Sequence, residues 1–283
     1  MSAGEWHSTE DVLEFLAHAG DFLRSRPAMH NTPLTSVEKL RLSGRPGRLG
    51  WLVEDGEVRA AYLHGPATHR VNLTPLTPDQ AGSVADHLAG REVVAVTADH
   101  DTSTAFAEAW QRKTGAAAEP TVRIRLYRLG TLTPPDPFPE GRGRVLQPTD
   151  HEDLVRWCGE FLDAVGEAPA PTWAESRFAD KTFTFWETPD GTPVSIAGNT
   201  PMVAGMVRVD PVYTPAHLRG RGYAAAATVE VSRAALAAGA TDVVLYANPF
   251  NPTSNALYQR LGYVPISEFT VYAFTAPETR ATA

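Results

Sequence analysis

A run that reads as strand, glycine-rich turn and helix, followed by a second strand and helix, constrains this chain more than any other feature. Extended residues 207–214 lead into Pro215-Ala216-His217-Leu218-Arg219-Gly220-Arg221-Gly222-Tyr223-Ala224, and a helix over 223–238 stops at Gly239. The first turn of a helix leaves backbone N–H groups without intrahelical acceptors, and glycines let such groups approach a ligand closely. Two arginines beside them raise the local potential, so the turn reads as an anion site. A strand over 242–246, a helix over 253–261 ended by Gly262 and a strand over 263–274 follow. Together they predict a cleft for a phosphorylated ligand.

The remaining pattern divides into two halves. With 283 residues the chain is long enough for two domains, and Leu132-Thr133-Pro134-Pro135-Asp136-Pro137-Phe138-Pro139-Glu140-Gly141-Arg142-Gly143 reads as a proline-stiffened boundary. Before it, Ser8 is expected to cap a helix running to Arg26, with Val12, Leu16, Ala19 and Leu23 as its apolar stripe. Strands are expected over 50–53, 58–64, 70–73, 92–97 and 121–129, and helices over 78–89 and 102–114. After it come a short strand over 144–146, helices over 150–165 and 173–178, and strands over 181–187, 194–199 and 202–213. Both halves thus run strands, helix, strand, helix, strand. A structural duplication and a coincidence between two mixed α/β domains both fit that order.

Composition narrows the function. Net charge is −8, from 25 Lys plus Arg against 33 Asp plus Glu, which argues against nucleic acid as a partner. Cys158 is the single cysteine, so no disulfide framework or cysteine-rich zinc site forms within one chain. The first residues carry acids where a signal peptide carries bases, and no apolar stretch approaches 18 residues. A cytoplasmic protein with no membrane partner is expected.

Gly220-Arg221-Gly222-Tyr223-Ala224-Ala225 matches the G-x-G-x-x-A dinucleotide pattern in form, but Asn248 stands where that pattern wants an acid after the next strand. The Lys-Ser or Lys-Thr pair of a triphosphate loop is also absent. Taken alone, the turn also fits an ordinary helix start with two solvated arginines.

Three segments taken together carry more. Val212-Tyr213-Thr214, Arg219-x-x-Gly222-x-Ala224 and Asn251-x-x-Ser254-x-x-Leu257-Tyr258-x-x-x-Gly262-Tyr263 resemble the acetyl-CoA-binding core of the GNAT superfamily of N-acyltransferases. The likeness covers the element order from 144 to 274 and is specific across 207–263. It implies an α/β (α+β) fold of tandem GNAT-like domains, each a mixed, mostly antiparallel twisted sheet flanked by helices. The expected boundaries are 1–131 for a degenerate first copy, 132–142 for the linker and 143–283 for the catalytic domain. The resemblance also implies that the sheet splays between its fourth and fifth strands. Val212, Tyr213 and Thr214 would then offer backbone groups to the pantetheine of acetyl-CoA, the acyl-donor cosubstrate. Arg219, Gly220, Arg221, Gly222, Tyr223, Ala224 and Ala225 would wrap its pyrophosphate.

By the same resemblance Asn251 bonds the pantetheine arm, although it also reads as a helix cap before Pro252. Tyr258 falls where the family places a general acid for the departing thiolate; its structural alternative is a packed core aromatic. The glutamate that serves some relatives as base is replaced by Arg208. Asp210 and Glu187 are candidates through water, or else solvated edge charges. Trp157, Trp173, Phe185 and Trp186 either line an acceptor pocket or belong to the core. The implied activity is acetyl transfer to a primary amine, of a small molecule or of a protein, by direct attack in a ternary complex. The alternative is an acyl-CoA-binding sensor or scaffold without turnover.

Overall fold

The computed structural model describes residues 4–65 and 68–275. In chain order the first elements are β1 (Glu5–Thr9), α1 (Val12–Arg24), α2 (Asn31–Ser43), β2 (Arg48–Glu54), β3 (Glu57–His64) and β4 (Arg70–Leu73). Next come α3 (Pro78–His87), β5 (Ala95–Asp99), α4 (His100–Thr114) and β6 (Ala117–Leu129). The second series is β7 (Arg142–Val145), α5 (His151–Val165), β8 (Thr182–Glu187), β9 (Pro193–Asn199) and β10 (Met206–Tyr213). It closes with α6 (Tyr223–Ala237), β11 (Asp242–Ala247), α7 (Pro252–Arg260) and β12 (Tyr263–Thr275).

The chain divides into two compact units, Met1–Arg125 with Ser267–Ala283, and Leu126–Ile266. This partition differs from the boundaries 1–131, 132–142 and 143–283 expected from the proline run. In unit 1 the end of β12 pairs antiparallel with β5, Phe269 opposite Asp99 and Ala273 opposite Ala95, so the end of the last described strand serves the first unit. The proline-rich segment is held by unit 2. Gly130 N–H donates to Gly262 O at 2.9 Å and Thr133 N–H to Leu261 O at 3.0 Å, and Phe138 packs edge-on against Trp186 at 5.4 Å. Backbone ladders and an aromatic contact outweigh the composition of the segment.

Unit 1 runs antiparallel from β1 through β4, with β4 parallel to β5. Its core gathers Tyr62, Val71, Val84, Leu88, Val96, Phe106 and Trp110 between sheet and helices. Two elements differ from the sequence reading. Residues Glu5–Thr9 pair with β2, so α1 starts later, with Asp11 as its cap: the side chain accepts from Leu13 N–H at 2.7 Å and Glu14 N–H at 3.3 Å. The helix Asn31–Ser43 has a weak apolar period that concealed it, and is seated by buried Asn31, whose side chain donates to Ala28 O at 2.7 Å.

In unit 2, β7, β8, β9 and β10 are antiparallel neighbours, β10 is parallel to β11, and β6 lies on the far side of β11. The alanines of α6 (Ala225, Ala226, Ala227) are buried against the face of this sheet that carries Val207 and Val209. Small side chains let the helix axis approach the strands closely. The other face carries Phe183, Phe185 and Ile196 under Trp157, Cys158 and Leu162 of α5. The helix expected over 173–178 is a single 3-10 turn, Trp173–Glu175. Among the described residues no helix is long and apolar enough to cross a membrane.

Candidate active site

The slot begins where two strands part. β10 and β11 pair in parallel from Met206 opposite Asp242 to Val209 opposite Leu245, and there the pairing ends, although β10 runs on to Tyr213 and β11 to Ala247. At the same point the register of β10 on β9 shifts between Val209 and Val212, after which Val212 faces Ala197 and Tyr213 faces Ile196. A bulge adds a residue to one strand and bends it. Here β10 bends after Val209 and stays with β9, leaving β11.

The chain leaves β10 through an anchored turn. Ser195 Oγ donates to Tyr213 O at 3.0 Å and shares a hydrogen bond with Thr214 Oγ1 at 2.8 Å. Arg219 Nε then donates to Thr214 O at 3.0 Å, and its guanidinium lies 6.0 Å from the centroid of the Tyr213 ring. Gly220 and Gly222 adopt left-handed φ values of 77° and 81°, which a side chain would strain. A Cβ on Gly220 would meet nothing within 4 Å, whereas one on Gly222 would lie 2.9 Å from Pro139 Cγ. Gly222 caps α6 without a side chain, and the first ladder bond is Ala226 N–H to Gly222 O at 3.1 Å. The N–H groups of Tyr223, Ala224 and Ala225 precede that ladder and aim out of the helix start. This start suits a diphosphate: it has free backbone donors at the positive end of a helix, with exposed Arg221 in the same turn.

Across the slot, Asn251 caps α7 by accepting from Ser254 N–H at 3.1 Å, which leaves its amide N–H₂ exposed beside the strand end. Tyr258 is buried at 8% exposure, 6.3 Å from the Tyr127 ring and 6.1 Å from the Tyr263 ring. Its hydroxyl makes no hydrogen bond among the described residues. Burial, with Tyr263 and the Asp210 carboxylate behind it, pushes its pKa well above the ordinary phenol value, so the proton stays on oxygen at neutral pH.

Two supporting residues escaped the sequence reading. Asn255 is 7% exposed and donates to Asn248 O at 2.8 Å and Asn251 O at 2.6 Å, while Tyr127 Oη donates to its Oδ1 at 2.5 Å. It fixes the turn that presents Asn251. Its position one residue after Ser254 marked it only as helical, and Tyr127 lies more than a hundred residues away in sequence.

Neither a protein-family profile nor a curated protein matches the chain. Solved structures do. The chain is similar to a GCN5-related N-acetyltransferase from Sphaerobacter thermophilus, at 19% identity over 97% of this chain and 96% of that one, with a TM-score of 0.60. A GCN5-related N-acetyltransferase from Kribbella flavida gives 20% identity over 87% and 97%, with a TM-score of 0.54. A tandem GNAT protein from the clavulanic acid biosynthesis pathway, solved without acetyl-CoA, gives 12% over 98% and 100%, at 0.56. The chain has the GNAT fold.

The GNAT likeness spans both units, yet their helix starts differ. In unit 1 the helix after the parallel-paired strand β4, α3, is closed by a capping box: Thr77 Oγ1 accepts from Gln80 N–H at 3.3 Å and Gln80 Oε1 accepts from Thr77 N–H at 3.0 Å. Side chains there take the donors that the α6 start of unit 2 leaves open.

Both candidate bases in unit 2 are tied up. Asp210 is bound by Lys181 Nζ and, at 3.3 Å, by Arg177, and these cations hold its carboxyl below the usual range despite burial. Glu187 is 3% exposed, paired with Arg144 at 2.6 Å and Arg142 at 3.4 Å. Neither is the solvated edge charge of the alternative reading. Trp157, Phe185 and Trp186 are core residues, and Trp173 alone of the four is half-buried. Cys158 is buried and its thiol is pushed up to about 12, which leaves no thiolate for an acyl relay.

Proposed function

We propose that unit 2 is an N-acyltransferase that moves an acetyl group from acetyl-CoA to a primary amine by direct attack. The observation that carries this reading is the parting of β10 and β11 after Val209 and Leu245, with an uncapped glycine turn at one end and a protonated tyrosine beside it. The pantetheine would lie along Val212, Tyr213 and Thr214 and reach Asn251. The pyrophosphate would sit on Arg219, Gly220, Arg221, Gly222, Tyr223, Ala224 and Ala225. The amine nitrogen forms a bond to the thioester carbon, the carbon–sulfur bond breaks, and the electron pair leaves on sulfur. Tyr258 supplies the proton that makes it a thiol and is reprotonated from water, to which the amine proton passes. Inert Cys158 supports direct transfer over a covalent relay. A lone, buried thiol also suits a cytoplasmic setting.

We further propose that unit 1 is a degenerate copy, because its corresponding helix start is closed by Thr77 and Gln80. Thiol release from acetyl-CoA, followed across a panel of primary amines, tests the activity. Amine-dependent release without an acylated protein is expected. Tight acetyl-CoA binding with no release for any amine would favour the sensor reading instead.

A further inference from the structure

One carboxylate in unit 2 stands apart from the rest. Among the described residues, every other buried or half-buried acid of the unit has a cation within 4.0 Å. Asp150 and Glu187 take Arg144, Asp153 takes Arg156, Asp210 takes Lys181 and Arg177, Glu230 takes Arg233 and Asp242 takes Arg128. Half-buried Glu160 on α5 has none. Its Oε2 accepts from the Tyr213 hydroxyl at 2.8 Å. Arg219 also lies near Tyr213, its guanidinium 6.0 Å from the ring centroid, but it forms no ion pair with Glu160 within 4.0 Å and donates to Thr214 O of its own loop.

The placement of Glu160 suits a ligand. α6 takes the face of β10 that bears Val207, Val209 and Val212, while Asp210 and Tyr213 turn to the face under α5. Tyr258 belongs to the core cluster of the first face, whereas Glu160 is joined to the second through the Tyr213 hydroxyl. Trp157, one turn before Glu160 on the same helix side, stands edge-on to Tyr213 at 6.4 Å and offers an apolar wall beside the carboxylate. A partly desolvated carboxylate without a counter-ion costs stability, and an incoming cation offsets that cost.

We infer that Glu160, oriented by Tyr213, receives an alkylammonium of the acceptor, an inference that rests on the acyltransferase reading. The chemistry sharpens the substrate class. A carboxylate partner favours the charged form of an amine, so the nitrogen held by Glu160 stays protonated and is not the nucleophile. The acceptor therefore carries two nitrogens, one cationic at Glu160 and one that attacks. Diamines, polyamines and paired lysines share this feature.

Calorimetric titration of the full chain with 1,4-diaminobutane, the N-acetylated amide of Lys-Lys and 1-aminobutane tests it, with acetyl-CoA titrated separately. One of the two dications should bind at least ~10-fold more tightly than 1-aminobutane, and which one does so separates a metabolite from a peptide source. Glu160→Gln keeps an oxygen for Tyr213 and should abolish that preference, with acetyl-CoA affinity unchanged and the melting temperature level or slightly raised. Tyr213→Phe should lose part of the preference, roughly threefold, by freeing the carboxylate. Equal binding of mono- and diamine by the wild type, or a preference retained in Glu160→Gln, would overturn the inference. If acetyl-CoA fails to bind while the preference and its loss in Glu160→Gln stand, the donor reading falls and the cation site holds.

Discussion

Replacing Tyr258 by Phe removes one oxygen from a ring that is otherwise packed against Tyr127 and Tyr263. The hydroxyl has no hydrogen-bond partner among the described residues, so no buried group is orphaned by its loss. Stability should therefore change by less than about 1 kcal/mol, and acetyl-CoA affinity should hold. Turnover should fall about 10²–10⁴-fold, the usual contribution of a positioned proton donor. Tyr258→Ala differs, because it empties the ring volume. A cost of about 3–5 kcal/mol is expected for deleting a buried aromatic ring, a fall in melting temperature of roughly 10 °C. Thiol-release kinetics, calorimetry and thermal melts on both variants separate the two roles. Unchanged turnover in Tyr258→Phe, with acceptor saturating and chemistry rate-limiting, would refute the assignment.

The same tyrosine carries a pH signature. Burial raises the folded pKa of Tyr258 and of Tyr263 above the ordinary 10.0, so the folded state holds more protons at alkaline pH. Their contribution to stability should be complete below pH 10 and fall as pH rises beyond it, an effect read from melting temperature and reduced in Tyr258→Phe. Arg219→Ala and Arg221→Ala should each weaken acetyl-CoA binding roughly fivefold, the worth of about 1 kcal/mol. The loss in Arg221→Ala should shrink in high salt, whereas Arg219→Ala should keep part of its loss because it also frees the turn at Thr214. Asn255→Ala strands Tyr127 Oη and leaves the Asn248 and Asn251 carbonyls with only their backbone donors, so it should cost about 1–3 kcal/mol in a chemical melt and lower acetyl-CoA affinity with it.

Much of this architecture is legible in the sequence. The glycines at 220 and 222, the Asn251 cap and the strand before them are local signals, and the structure places each where local chemistry demands. What stayed hidden is long-range. The assignment of the end of the last described strand to unit 1 depends on a pairing with β5, more than 160 residues earlier, that no local pattern encodes. The seating of Phe138 and Pro139 on unit 2 depends on Trp186 and Gly222, and composition alone reads that segment as a semi-rigid linker. Asp210 and Glu187 looked available as bases because their cations, Lys181 and Arg144, approach only in the folded sheet. Glu160 was silent for the opposite reason. Its meaning lies in lacking the cation that the other buried or half-buried acids of unit 2 have.

The most direct measurement is the stoichiometry of acetyl-CoA binding to the full chain by isothermal titration calorimetry. Unit 2 offers an open helix start at Gly222, and unit 1 closes its counterpart with Thr77 and Gln80. The account predicts one site per chain, lost in Gly222→Val through left-handed strain and contact with Pro139, while Thr77→Ala leaves the stoichiometry at one. Absence of binding, two equivalent sites, or full affinity in a folded Gly222→Val protein would contradict it.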